Sequence, residues 1–140
     1  MNLLKRCSLI IFIIIFIPVI FWGCGYLGPG SADYSYKLSS KYIIYRPSSD
    51  CTELDKKENR NMTVIVDSRV SGIAWDENFI LAEQTKNNSK NYWIIDVKQD
   101  KVYGQLKYED FDKHRYFLKI DSKLRLENPD KYKILDPSNK

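Results

Sequence analysis

Hydrophobic and polar positions divide the chain into three regimes. Residues 9–22 form an apolar run without one charge, preceded by Lys5 and Arg6 and ended by Gly23-Cys24-Gly25. Residues 25–40 are rich in glycine, proline and serine, with no hydrophobic period; this is the composition of a flexible tether. Within it, residues 33–38 alternate polar and apolar and offer an early start to a folded domain. From Lys41 onward, short clusters of β-branched and aromatic residues alternate with polar turns, which predicts strands.

The first predicted strand covers residues 41–46 and stops at Pro47. Residues 47–61, densely charged from Glu53 to Arg60, read as a long surface loop. Further strands are predicted over residues 62–67, 70–75, 79–85, 92–97 and 101–106. Residues 76–78 make a hairpin turn, 86–91 a polar connection, and 98–100 a second turn. Short connections imply antiparallel neighbours, because parallel pairs need long crossovers. In the last third, Tyr108, Phe111 and Leu118 fall at helical spacing, with Asp110 and Asp112 near the favoured end of the dipole. A helix over residues 108–119 would lay Phe111 and Leu118 on the sheet. Leu124, Leu126, Ile134 and Leu135 suggest a loosely packed tail. The expected fold class is α+β: an antiparallel meander of five or six strands with one C-terminal helix packed on it. The expected division is a signal segment over residues 1–23, a lipidated cysteine and tether over 24–40, and one domain over 41–140.

The apolar run is shorter than the roughly 17–25 residues of a spanning helix. A basic start, an apolar middle and small residues at the end make an export signal. Its end resembles a bacterial lipoprotein signal, with Gly23 before the cut and Cys24 as the acylated thiol; Phe21 and Trp22 depart from that pattern. Two alternatives stand beside lipidation: an uncleaved signal-anchor, and ordinary cleavage with release. Lipidation and the uncleaved anchor both place the domain outside the cell, held at the cytoplasmic membrane. A diacylglycerol suffices for stable anchoring, since two chains hold where one is marginal.

Removing the first 23 of 140 residues leaves 117, enough for one domain. Loss of Lys5 and Arg6 takes 22 basic residues to 20 against 18 acidic, a net charge of +2. That balance and the extracytoplasmic address argue against nucleic acid as a partner. Of three cysteines, Cys7 lies in the signal. Lipidation of Cys24 leaves Cys51 alone as a loop thiol, whereas an unmodified Cys24 would permit a bridge to it.

At Ile73-Ala-Trp-Asp76, Phe79-Ile-Leu-Ala82, Asn91-Tyr-Trp-Ile-Ile-Asp96 and Val102-Tyr-Gly-Gln-Leu106 the chain resembles a family of small bacterial lipoproteins. That family is found largely in Bacillus-like Gram-positive bacteria and is classed as a domain of unknown function. Residues 33–38 are similar to its mature start, and the resemblance extends over most of residues 24–118. It implies a lipoprotein and a shared fold, and carries no catalytic residues. Gln105 and Lys107 depart from the family pattern, which has proline and a capping residue there.

Candidate chemistry is sparse. His114 is the single histidine, on the expected helix, so His-dependent catalysis and His/Cys zinc sites have little to draw on. No glycine-rich phosphate loop is present, and no cofactor or metal is expected. Carboxylates are numerous, but Asp76, Glu77 and Asp100 fall in turns and Asp110 and Asp112 at a helix start. A hydrolase of cell-wall glycan or peptide built on two of them is an alternative reading. The aromatic content is the remaining signal. Trp75 and Trp93 each share a strand face with an isoleucine and are expected in the core. Tyr42, Tyr45, Tyr92 and Tyr103 are candidate ligand-contact aromatics for a protein, peptide or glycan. The expected function is a lipid-anchored binding or interaction domain; the other alternative is an accessory subunit of a membrane complex.

Overall fold

A computed structural model describes residues 33–139. The signal segment, Gly23, Cys24 and residues 25–32 of the tether lie outside the described residues. Two four-stranded antiparallel sheets make up most of the fold. The first holds β1 (Tyr34–Lys37), β2 (Tyr42–Ser48), β3 (Cys51–Glu58) and β4 (Asn61–Val66), in that order. The second holds β5 (Val70–Trp75), β6 (Phe79–Lys86), β7 (Ser89–Asp96) and β8 (Lys101–Leu106). A helix, α1 (Tyr108–Phe117), follows, and then two 3-10 segments, Pro129–Leu135 and Pro137–Asn139.

The expected single meander of five or six strands is therefore eight strands in two meanders. Five of the six predicted strands agree closely with observed ones, and the sixth, over residues 41–46, runs on through Pro47 in β2. The predicted loop over residues 47–61 is corrected: most of it is β3, paired along its length with β2 and β4. Thr52, Leu54 and Asp55 are buried, while its other charged residues are partly or fully exposed. Residues 34–37, on the tether side of the expected boundary, form the edge strand β1.

Turn chemistry sets the registers. Asn87 and Asn88 both adopt positive φ, 51° and 59°, in the two-residue loop joining β6 to β7. Such a mirror-image turn matches the strand twist, and asparagine tolerates it. Asp76 closes the preceding hairpin by accepting hydrogen bonds from the backbone N–H groups of Asn78 and Phe79 (2.7 and 2.8 Å). Asp96 accepts from the N–H of Gln99 at 2.8 Å and so shapes the turn before β8.

Alternation of side chains along each strand separates two cores. Tyr36, Tyr42, Ile44 and Leu54 of the first sheet meet Ile73, Ile80, Ala82, Trp93 and Ile95 of the second. The opposite face of the second sheet presents Leu81, Tyr92 and Ile94, which pack with Phe111 of α1 and with Ile120. Phe111 stacks on Tyr92 with ring centroids 4.8 Å apart, and Leu118 joins the same cluster. The layers are thus sheet, sheet, helix. Trp93 is buried between the sheets, as the sequence pattern predicts, whereas Trp75, also expected in the core, packs half-buried at its margin.

The tail is more ordered than its sequence suggests. Leu124 and Leu126 pack below the second core. Glu127 exchanges two backbone hydrogen bonds with Ile73 (2.8 and 2.9 Å), extending the sheet past β5. The 3-10 segments then clasp β1. Tyr34 Oη donates to Asp130 (2.7 Å), Tyr36 Oη donates to the Pro129 carbonyl (3.1 Å), and the Ser35 N–H donates to Asp136 (2.6 Å).

Candidate functional site

The four candidate tyrosines do not form one surface. Tyr42 is fully buried between the sheets, and Tyr92 is buried beneath α1. Tyr103 lies on β8 with its ring 5.5 Å from that of His114. Tyr45 is exposed on the outer face of the first sheet. Burial pushes the hydroxyls of Tyr42 and Tyr92 up to about 12, aided by Asp100 for Tyr42 and by Glu83 for Tyr92. His114 Nδ1 lies 2.7 Å from the Asp110 carbonyl, a contact within the helix. Cys51 sits on β3 rather than in a loop; its Sγ donates to Glu53 at 3.3 Å, and burial followed by Glu53 raises its pKa. Among the described residues, no three His, Cys, Asp or Glu side chains converge as a metal site.

Two hollows lie on either side of the C-terminal segment. The first, about 390 Å³, opens where the β2–β3 end of the first sheet meets the start of β5. Arg46, Ser49 and Thr52 line it from one side, Arg69, Ser71 and Thr85 from the other, and Asn128 to Asp130 close one end. Its geometry depends on the connector between the sheets. Ser68 and Arg69 both adopt positive φ, 25° and 61°, a costly backbone for residues with side chains. Buried Gln84 holds that connector by donating to the Asp67 carbonyl, to Asp67 Oδ1 (2.8 Å) and to the Ser68 carbonyl (3.1 Å). The Thr85 N–H donates to the Arg69 carbonyl at 3.1 Å. The Arg69 side chain is therefore presented at the rim by an anchored backbone.

The hydroxyls within this cleft are linked to one another. Ser71 Oγ lies 2.9 Å from both Glu83 Oε1 and Thr85 Oγ1. Arg46 is spoken for: it donates to Asp130 and to the carbonyls of Ser48 and Ser49. Burial opposes its charge, but the Asp130 and Tyr34 contacts prevail and raise its pKa. Arg69 has no ion-pair partner among the described residues, so it is the cation left for an incoming anionic group.

The second hollow, about 450 Å³, is lined by Trp75, Tyr132, Lys123, Arg125 and Glu127. Trp75 and Tyr132 meet edge-to-face with centroids 4.7 Å apart. An aromatic wall beside two cations suits a flat or apolar group that also carries negative charge. Pro129 and Asp130 border one hollow and Tyr132 the other, so a single 3-10 segment separates them. The sequence signals Trp75 but not Arg69 or Tyr132. Arg69 stands in an ordinary Asp-Ser-Arg linker, and Tyr132 lies in a tail whose docking depends on β1, about 100 residues earlier.

No curated protein and no solved structure matches the chain. A family profile, described as "Protein of unknown function (DUF3997)", matches residues 39–132. That match takes in all of β2 to β8, α1 and the start of the C-terminal 3-10 segment. With well over half of its length inside that match, the chain belongs to the DUF3997 family of proteins of unknown function.

Proposed function

We propose that the protein is a lipid-anchored, extracytoplasmic binding domain, tethered through diacylglycerol on Cys24 to the outer face of the bacterial cytoplasmic membrane. Its ligand is a group carrying negative charge on a peptide, glycan or protein partner. The observation that carries the binding reading is the pair of hollows around residues 127–132, one holding Arg69 and hydroxyls, the other Trp75, Tyr132 and Arg125. The anchor reading rests on the charged, apolar and small-residue layout of residues 1–25.

Intact mass of the membrane-extracted protein tests the anchor. A chain starting at Cys24 with diacylglycerol added is expected, with the added mass lost in Cys24→Ala. An unprocessed chain starting at Met1 would replace the lipid anchor with a spanning signal-anchor. Tryptophan emission tests the binding reading, because Trp75 lines the second hollow. Titration with soluble cell-wall muropeptides is expected to change the emission, and Arg125→Ala to weaken the response. Unchanged emission would turn the reading toward a protein partner, sought by pull-down from solubilised membranes.

A further inference from the structure

The start of β1 and the C-terminal 3-10 segment share one end of the domain. Chain entry at Asp33 leads directly into β1, and β1 is fixed to that segment by the Tyr34–Asp130, Tyr36–Pro129 and Ser35–Asp136 hydrogen bonds. Asp136 is itself set by Ser138, whose hydroxyl and N–H both donate to it at 2.7 Å. The entry point thus cannot swing away from residues 134 and 135. There, Ile134 is 77% exposed and Leu135 49% exposed, and neither belongs to a core. At the opposite end of the domain, Lys41 and Lys56 converge on Asp100.

Eight residues lie between Cys24 and Asp33, so nine Cα–Cα steps join them. Even fully extended, a stretch of that length reaches no more than about 30 Å. An acylated Cys24 therefore keeps this end of the domain within one domain width of the bilayer.

We infer that Ile134 and Leu135 rest in the membrane interface, so that the domain lies on the bilayer by its tethered end rather than floating above it. The occupant of this apolar patch is the lipid surface itself. Paired insertion of two aliphatic side chains beside an acyl anchor follows the two-signal logic of stable membrane attachment. The inference rests on the anchor reading above, and it adds an orientation. The first hollow opens beside Asp130 and Arg46, close to the same end. Its ligand is then met near the bilayer, not out in the wall.

The test uses the full chain, extracted from membranes with its anchor and reconstituted in phosphatidylcholine vesicles, with or without bromine on the upper acyl chain. Ile134→Trp adds one reporter at the patch, and wild-type emission is subtracted as background. Gln99→Trp, exposed at the far end of the fold, is the control. The expected result is at least a twofold bromine quench and a blue shift at position 134, with neither at position 99. Leu135→Trp serves as the second reporter should Ile134→Trp fail to accumulate. Three results overturn the inference. Unquenched, red emission at position 134 in protein shown by mass to be diacylated leaves the anchor standing and removes the orientation. A blue shift without quenching assigns the patch to a second copy or a protein partner. Protein released from membranes without lipid ends the anchor reading and the inference together.

Discussion

Tyr42 reaches across the sandwich to Asp100: its hydroxyl donates a 2.8 Å hydrogen bond to Oδ1, joining residues 58 positions apart. Lys41 and Lys56 meet the other carboxylate oxygen at 3.0 and 2.7 Å. The first sheet is thereby pinned to the β7–β8 turn of the second by one acid with three partners.

Removing that hydroxyl tests the pin. Tyr42→Phe keeps the buried ring and is expected to cost about 2 kcal/mol, the range for a hydrogen bond to a charged group. Lys56, Tyr42 and Lys41, in that order, hold the Asp100 carboxyl well below the usual carboxylate range. A lowered folded pKa stabilises above the unfolded value near 4, and that stability drains away as acid protonates the group. Urea denaturation at pH 7 and pH 3 should therefore show nearly the same Tyr42→Phe deficit, because the folded carboxyl stays ionised until the pH falls well below 3; a deficit that has vanished by pH 3 would contradict the assignment.

Asp55 predicts the opposite sign. It is 3% exposed on β3, and its Oδ1 has no hydrogen-bond partner. Burial, then Glu53, pushes its pKa up to about 6. The folded state thus retains a proton that the unfolded chain releases above pH 4, and stability falls as pH rises from about 4 to 6. Asp55→Val places a strand-forming side chain between Ile43 and Val64, its neighbours in register. It is expected to raise stability at pH 7 by about 2 kcal/mol and to give a smaller gain at pH 4. A loss at pH 7, or a gain independent of pH, would count against a buried, strained carboxyl.

Gly104 has a steric reason. A Cβ there would fall inside the Trp93 ring's contact distance, 2.6 Å from Nε1 and 2.7 Å from Cγ. Gly104→Ala is expected to destabilise by about 3 kcal/mol, since overpacking against a large buried ring forces backbone movement. Gly72→Ala is the comparison: its Cβ would meet those of Glu83 and Leu126 at 3.2 Å, a milder conflict. Thermal melts of the two should rank Gly104→Ala clearly lower.

The connector that presents Arg69 depends on Gln84. Gln84→Leu removes the donor shared by Asp67 and Ser68 and is expected to cost about 2 kcal/mol. Lys86→Met, which removes only a salt bridge between exposed groups at 2.9 Å, should stay under about 1 kcal/mol. Hydrogen exchange would locate the difference: amides of residues 67–71 open faster in Gln84→Leu, and not in Lys86→Met.

Strands with several adjacent β-branched or aromatic residues were legible from sequence, because apolar runs such as those holding Ile73, Ile80, Ile94 and Ile95 supply buried positions of the cores. β3 was not, because Cys51–Glu58 offers Leu54 as its one large apolar side chain, and five of its eight residues are charged. Pro47 reads as a stop, yet it lies beyond Tyr45, where the pairing of β2 with β3 shifts register and a missing N–H does no harm. The division into two sheets depends on which strands face each other, information no local window holds. The hollows are harder still. They are built from a positive-φ linker and a tail, and each acquires its shape only from a distant partner: Gln84 for the linker, Tyr34 to Tyr36 for the tail.

The clasp between β1 and the tail also sets an order of events. Its hydrogen bonds link residues 93 to 101 positions apart, among the longest loop closures available to a domain this size. A chain that emerges N-terminus first presents β1 at the start but cannot complete its clasp until Asp136 has appeared. β1 pairs with the rest of its sheet along one side alone, so the other side stays open throughout synthesis. The end that closes last is the end where the chain enters β1, which makes a finished clasp a local signature that synthesis has passed Asp136.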